Sequence, residues 1–410
     1  MIRPLLFFLI LILSPPIGFS QNLGFSLIGG RKSAEIPIEV SNNLIIIPVT
    51  LNGMLPLKFI LDTGVRTTIL TEKAFADILH LTYTRKYTIS GLGGENVVDA
   101  LITNNVSLDL PGIHGEGHAM LVLAEDYLQL KNYLGTDVHG ILGYELFSRF
   151  VIKIDYERKL LSIMSPERSR PGRKYLKMPI QIEDTKPYLM ANVIQLNGSA
   201  ILAKLLLDTG ASHSIMLESV SDSTITVPEN AISSLIGRGL AGVIMGKVGR
   251  VKSVSIGPYT LNDPIANYPD PSASFDSLKI ARVDRNGSIG GEILSRFTVI
   301  FDFSHEFVYL KKNHSFNKMF YYNLSGLTVK AKGNLLNIYE ITEVRSQSVG
   351  EKAGIALGDL IVSINGVPCK DLKLSQVIGY FNTKPGKRIH LELDRNGERL
   401  RKDFVLKDQI

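Results

Sequence analysis

One pattern occurs twice in this chain and governs what it can fold into. Leu57-Lys58-Phe59-Ile60-Leu61-Asp62-Thr63-Gly64 returns 146 residues later as Ala203-Lys204-Leu205-Leu206-Leu207-Asp208-Thr209-Gly210. A second block, Gly140-Ile141-Leu142-Gly143-Tyr144-Glu145-Leu146-Phe147-Ser148-Arg149-Phe150, returns 147 residues later as Gly287-Ser288-Ile289-Gly290-Gly291-Glu292-Ile293-Leu294-Ser295-Arg296-Phe297. Each second block leads into an apolar run ending in an acid, Asp155 or Asp302. Between the blocks lie the glycine-rich stretches Gly91-Leu92-Gly93-Gly94 and Gly237-Arg238-Gly239-Leu240-Ala241-Gly242. Features recurring in one order at nearly one spacing make residues 35–165 and 175–312 two copies of one lobe.

Each lobe reads as mostly β. Asn52-Gly53 and Asn197-Gly198, flanked by Val, Ile and Leu, are hairpin signals before the two Asp-Thr-Gly motifs. The apolar runs entering each motif fit strands buried on both faces. Glu145 to Phe150 and Glu292 to Phe297 read as a turn or two of helix feeding a strand, and Ser165 to Arg173 as a linker.

An Asp directly after a fully apolar strand is costly unless partnered. Two of them, equivalently placed in two similar lobes, imply a pseudo-twofold axis that brings them together. Carboxyls in contact cannot both ionise cheaply, so they share one proton; the aspartic-protease dyad is the known example of this behaviour. The ionised member takes a proton from water, and the protonated member donates to the carbonyl oxygen under attack. That chemistry hydrolyses an amide without a covalent enzyme intermediate and asks for no cofactor and no metal. Gly64 and Gly210 are expected to turn the backbone tightly, so that N–H groups reach the carboxyls. Thr63 and Thr209 offer hydroxyls to lock the two loops beneath the dyad.

The paired Asp-Thr-Gly motifs, with Ile141-Leu142-Gly143 and Ser288-Ile289-Gly290 about 80 residues downstream, resemble the pepsin/retropepsin superfamily. The nearest likeness is to bacterial retropepsin-like proteins with a C-terminal PDZ domain, and it covers nearly all of the chain after residue 20. The resemblance implies a mainly β, bilobal acid-protease-like fold followed by an α+β PDZ domain. It assigns Asp62 and Asp208 as catalytic, with Thr63, Gly64, Thr209 and Gly210 supporting them. It also makes Gly91, Leu92, Gly93, Gly94 and Gly239, Leu240, Ala241, Gly242 candidate flaps; by themselves these residues say only flexible turns. The first motif departs from the family pattern at Val65 and Arg66. Val65 stands where a small residue is usual. Arg66 either lowers a nearby carboxyl's pKa, binds a substrate acid or points to solvent, the last being the simplest reading.

From Tyr321 onward the pattern changes. Leu327–Lys330, Tyr339–Val344, Leu360–Ile364 and Ile389–Asp394 read as strands and Leu372–Phe381 as a helix. Ala353-Gly354, Gly358-Asp359, Ile364 and Asn365-Gly366 resemble the bacterial PDZ signature. The likeness places a loop for peptide C-termini at Ser325-Gly326-Leu327-Thr328, with the bound peptide adding a strand. A PDZ fold that binds only its own protease lobes is the alternative.

Arg3, the apolar run Leu5 to Leu13, Pro15-Pro16 and small residues up to Ser20 have the order of a secretory signal, too short to span a bilayer. The expected divisions are a signal at 1–20, lobes at 21–168 and 169–314, and the PDZ domain at 322–410. The expected setting is periplasmic or secreted, without a transmembrane segment once the signal is removed, and the expected state is a monomer. The only cysteine, Cys369, has no partner for an internal disulfide. The net charge of +6 is scattered, with no basic stripe interleaved with aromatics, which argues against nucleic acid. His114-Gly115-Glu116-Gly117-His118 has the wrong spacing for a zinc protease and reads as a loop. His213 reads as a partly exposed turn residue. Taken together, these features point to an aspartic endopeptidase acting on polypeptides; the rival is a degenerate, peptide-binding relative.

Overall fold

The computed structural model describes residues 23–90, 97–240, 242–271 and 284–410. It is mainly β, with two large lobe sheets, a sheet shared between the lobes and a C-terminal α+β domain.

The first lobe's sheet runs, in spatial order, Glu39–Ser41, Leu44–Leu51, Leu55–Leu61, Gly140–Leu142, Thr68–Leu70, His118–Leu123, Val97–Val106 and Tyr83–Ser90. The second lobe repeats this core as Ala200–Leu207, Gly287–Ile289, Ile215–Leu217, Ile265–Pro269, Gly242–Arg250 and Ile232–Gly239. In both, the strand that delivers the Asp lies parallel to the short strand of the second block: Leu61 pairs with Leu142, and Leu207 with Ile289. This is why the two sequence blocks must travel together. Asn52 and Gly53, both at positive φ, turn the first hairpin, as their residue types predict.

The shared sheet joins the lobes in the order Leu176–Pro179, Phe307–Lys312, Phe297–Asp302, Val151–Asp155, Leu160–Met164, Ser33–Pro37. At its centre Ile152 pairs with Phe301 and Ile154 with Val299. The 147-residue repeat carries Ile152 onto Val299 and Ile154 onto Phe301, so the pseudo-twofold axis exchanges these two pairs. One continuous apolar core runs through both lobes and this sheet, with Phe59, Phe147, Leu205, Phe297 and Phe301 inside it. The acids ending the central strands cap the turns that follow: Asp155 accepts from the Arg158 N–H, and Asp302 from that of His305.

The C-terminal domain has the strand order Leu327–Lys332, Ile338–Val344, Leu360–Ile364, Arg388–Arg395, Glu398–Val405, with the helix Leu374–Phe381 packed on it. The last strand is not among those the sequence pattern marks, because its charged, exposed residues carry no apolar alternation. Gly358 at φ 87° frees the turn before Leu360, and buried Asp359 holds Arg395 at 2.7 Å. The domain docks on the second lobe through Arg250 Nη2 and Asp408 Oδ2, 2.8 Å apart.

One local expectation needs correction. The segment from His114 to His118 is not a loop: Ile113–Glu116 pairs with the strand Gly24–Leu27, and His118 begins another strand. The partner comes from the beginning of the chain, so no local pattern announced it. Gly115 is required there because a Cβ would lie 2.6 Å from both His118 and Phe25. His114 turns to Asp109 and buried His118 to Glu145. Among the described residues, no helix is long and apolar enough to cross a membrane.

Candidate active site

Asp62 and Asp208 each leave the end of a buried strand, where their own N–H groups are held by Leu142 O and Ile289 O at 2.9 Å. The structure brings the two carboxyls together across the lobe interface, close enough that the Asp208 charge acts on Asp62. Gly64 donates to Asp62 Oδ1 at 2.6 Å and Gly210 to Asp208 Oδ1 at 2.9 Å.

Beneath them the threonines form a reciprocal clasp across the lobes. Thr63 N–H donates to Thr209 Oγ1 and Thr209 N–H to Thr63 Oγ1, both at 3.0 Å. Each hydroxyl then donates to the opposite lobe, Thr63 to Leu207 O at 2.6 Å and Thr209 to Leu61 O at 2.8 Å. Both threonines are fully buried, so every partner lost is an uncompensated polar group. Thr63→Val strands the Leu207 carbonyl and the Thr209 N–H, for an expected loss of about 2–6 kcal/mol at about 1–3 per group. Thr63→Ser keeps the hydroxyl and is expected to lose far less. Urea unfolding of the two variants checks this, and equal losses would refute the clasp.

The glycine N–H groups reach the carboxyls as expected, and the two glycines have a further role. Neither Gly64 nor Gly210 sits at positive φ. Their role is space: a Cβ on Gly210 would lie 2.1 Å from Asp62 Oδ2, whereas one on Gly64 would lie 3.0 Å from Asp62 Oδ1 and 3.6 Å from Asp208 Oδ1. The carboxyl of one lobe thus occupies the volume a side chain would need on the other. Gly143 and Gly290 serve the same purpose a layer further out. A Cβ on Gly143 would meet the Val65 carbonyl oxygen at 2.2 Å, and one on Gly290 that of His213 at 2.3 Å.

Solvent reaches part of each Asp, yet dense protein surrounds both carboxyls. Burial, and then the Asp208 charge, pushes Asp62 up to about 8. Burial also raises Asp208, but the N–H groups of Gly210 and Ala211 and the charge of Arg285 favour its ionised form. Arg285 is itself buried and ion-paired with Glu218 at 3.0 Å. The two halves therefore differ in their surroundings, while burial raises both carboxyls. Titration belongs to the pair.

Val65 packs against the first lobe's apolar cluster of Leu44, Ile46, Ile60 and Ile141. Arg66 is largely exposed, with Asp184 of the second lobe 3.7 Å away. His213 is held by Ser288 Oγ at 2.9 Å, and burial pushes it down to about 4. Ala211, Lys186 and Arg285, which favour ionised Asp62 or Asp208, were not singled out from sequence. Lys186 and Arg285 lie in segments without a repeated motif, and only folding brings their charges near the carboxyls.

Of the flap candidates, Gly239, Leu240 and Gly242 form the end of the second-lobe hairpin, Ile232–Gly239 with Gly242–Arg250. Ala241, and Gly91, Leu92, Gly93 and Gly94 of the first lobe, lie outside the described residues. In the C-terminal domain, Ser325 and Gly326 lead into the edge strand, and Leu327 and Thr328 begin it. The Gly326 N–H already donates to Asn323 and the Leu327 N–H to Ser325 Oγ, so both amides are engaged within the loop itself. A cavity of about 410 Å³ lies away from the dyad, between Arg250, Phe316, Met319 and Asp408.

Residues 47–146 and 193–292 match the family model described as aspartyl protease, and residues 340–395 match the PDZ domain model. No curated protein matches the chain. Each aspartyl-protease segment contains one Asp-Thr-Gly motif and its partner glycine block, and the PDZ segment falls within the separate C-terminal core. The chain thus carries an aspartyl-protease domain spread over two lobes, followed by a PDZ domain, and is an aspartic-type endopeptidase.

Proposed function

We propose that Asp62 and Asp208 hydrolyse peptide bonds of polypeptide substrates by activating a water between them. The observation that carries this is the apposition of the two carboxyls over the threonine clasp. Asp208 acts as base toward water, while Asp62 donates its proton to the scissile carbonyl oxygen. The PDZ domain recruits or regulates peptide substrates, peptide C-termini included. On this reading the enzyme is of the bacterial retropepsin-like kind, exported by residues 1–20, and works as a monomer, since one chain supplies both carboxyls. The direct test is digestion of a mixed peptide library from about pH 3 to 8, with Asp62→Asn and Asp208→Asn in parallel. Cuts that vanish in both variants support the reading, and cuts that persist in either refute it.

The pH profile follows from the shifts. Activity needs one proton on the pair. It falls on the alkaline side near 8, as Asp62 ionises, and on the acid side as Asp208 protonates above the usual carboxylate range. The kcat/KM of the protein is therefore expected to extend into neutral pH. A profile confined below about pH 4, the ordinary carboxylate range, would contradict the assignment.

A further inference from the structure

We propose that the short helix Leu130–Leu134 of the first lobe is a latch, joining the peptide-accepting edge of the PDZ domain to the second-lobe hairpin that the family resemblance marks as a flap candidate. Leu327–Lys332 is an edge strand, bonded on one side to Ile338–Val344. Its other side is where a peptide would add a strand. That side is already engaged: the helix Leu130–Leu134 packs against it, and Asn132 Nδ2 donates to Ala331 O at 2.9 Å. Ala331 O is thus held by a side chain of the protease lobe and not by a peptide backbone. The next residue after the helix, Gly135, is pressed against the neighbouring helix, since a Cβ there would lie 2.3 Å from that of Leu374.

The same helix also reaches the hairpin. Tyr133 Oη accepts from Arg238 Nη2 at 2.7 Å, and the guanidinium lies 4.5 Å from the ring centroid. Beside Arg238, Leu240 packs on the first-lobe cluster that contains buried Leu134 and is flanked by Val65 of the dyad loop. The hairpin is thereby held across from its own lobe to the first. The helix is fixed from below, with Ser41 Oγ donating to Leu134 O at 2.9 Å and Asn42 Nδ2 to Tyr133 O at 3.3 Å. A peptide that adds to Leu327–Lys332 must displace Asn132. Because Asn132 and Tyr133 are adjacent, that displacement loosens Arg238 and frees the hairpin to admit substrate. The inference rests on the endopeptidase reading above for what the cleft does, but the mechanical coupling is independent of it.

Hydrogen exchange on the full-length protein tests the coupling. Asn132→Ala is expected to speed exchange in Ile232–Gly239 and Gly242–Arg250 about threefold to tenfold, the equivalent of one hydrogen bond, although Asn132 does not hydrogen-bond to that hairpin. Coupling is reciprocal, so Arg238→Ala, an exposed side chain, should speed exchange in Leu327–Lys332. Unchanged exchange in Ala200–Leu207 reports that the variants are folded. Loosening confined to the PDZ edge in Asn132→Ala, or to the hairpin in Arg238→Ala, would overturn the proposal. In a quenched-peptide assay, kcat/KM of Asn132→Ala should rise by a similar factor. If no form cleaves any peptide, the endopeptidase reading fails while the exchange data still decide the latch.

Discussion

Asp62→Asn or Asp208→Asn is expected to lower kcat/KM by about 10²- to 10⁴-fold, the range of positioned acid–base catalysis, with the fold retained. The double variant should be little worse than either single one, because the two carboxyls act as a unit. Stability should move the other way. Both carboxyls have folded pKa values above their ordinary ones, to about 8 for Asp62. The folded chain therefore holds a proton that the unfolded chain releases from about pH 4 upward, and native stability declines as pH rises through that window toward 8. Asn cannot ionise and removes this penalty. Asp62→Asn should accordingly unfold at higher denaturant than the parent at about pH 8 and show little gain at about pH 3. A variant that is equally destabilised at both pH values would mean that Asp62 is not held in its acid form by its surroundings.

Gly210→Ala is expected to be nearly as damaging to turnover, and Gly64→Ala much less so. At Gly210 the new methyl would fall 2.1 Å from Asp62 Oδ2 and the same distance from Asp62 Cγ, so the carboxyl has to leave its position. At Gly64 the nearest atom is 3.0 Å away and a small shift relieves it. Displacing a reacting group by an ångström costs about 10²-fold or more, and that is the loss expected for kcat/KM of Gly210→Ala. No positive φ is involved at either glycine, so backbone strain cannot produce the difference. Equal losses in the two variants would show that the dyad is less closely packed than described. The thiol of Cys369 offers no competing chemistry, since it is buried in the PDZ core and burial pushes it up to about 12.

The repeat was legible because the chemistry demands it twice. A strand, a carboxyl, a hydroxyl and a glycine must appear in each lobe, and the parallel pairing of Leu61 with Leu142 and of Leu207 with Ile289 ties each motif to its partner block at fixed spacing. The turns at Asn52-Gly53 and Gly358-Asp359 were legible for a similar reason, since residue type and backbone conformation coincide there. Contacts between distant segments left no such trace. The pairing of Gly24–Leu27 with Ile113–Glu116 joins pieces of chain that share no pattern. Lys186 and Arg285 look like ordinary basic residues in sequence, and only folding places their charges near Asp62 and Asp208.

From sequence alone came the two lobes, the identity of the paired acids with their threonines, and the separate C-terminal domain, because each rests on local residue patterns or on their repetition. Tertiary structure decided how the two acids differ in their surroundings, why Gly210 must be glycine, and what lies on the PDZ edge strand. Those depend on unequal surroundings: Ala211 and Arg285 on one side of the pair, a carboxyl filling the space beside Gly210, and Asn132 reaching across to Ala331. A repeated sequence specifies the symmetric half of such a site, and the departures from symmetry arise only when the two lobes and the third domain pack together.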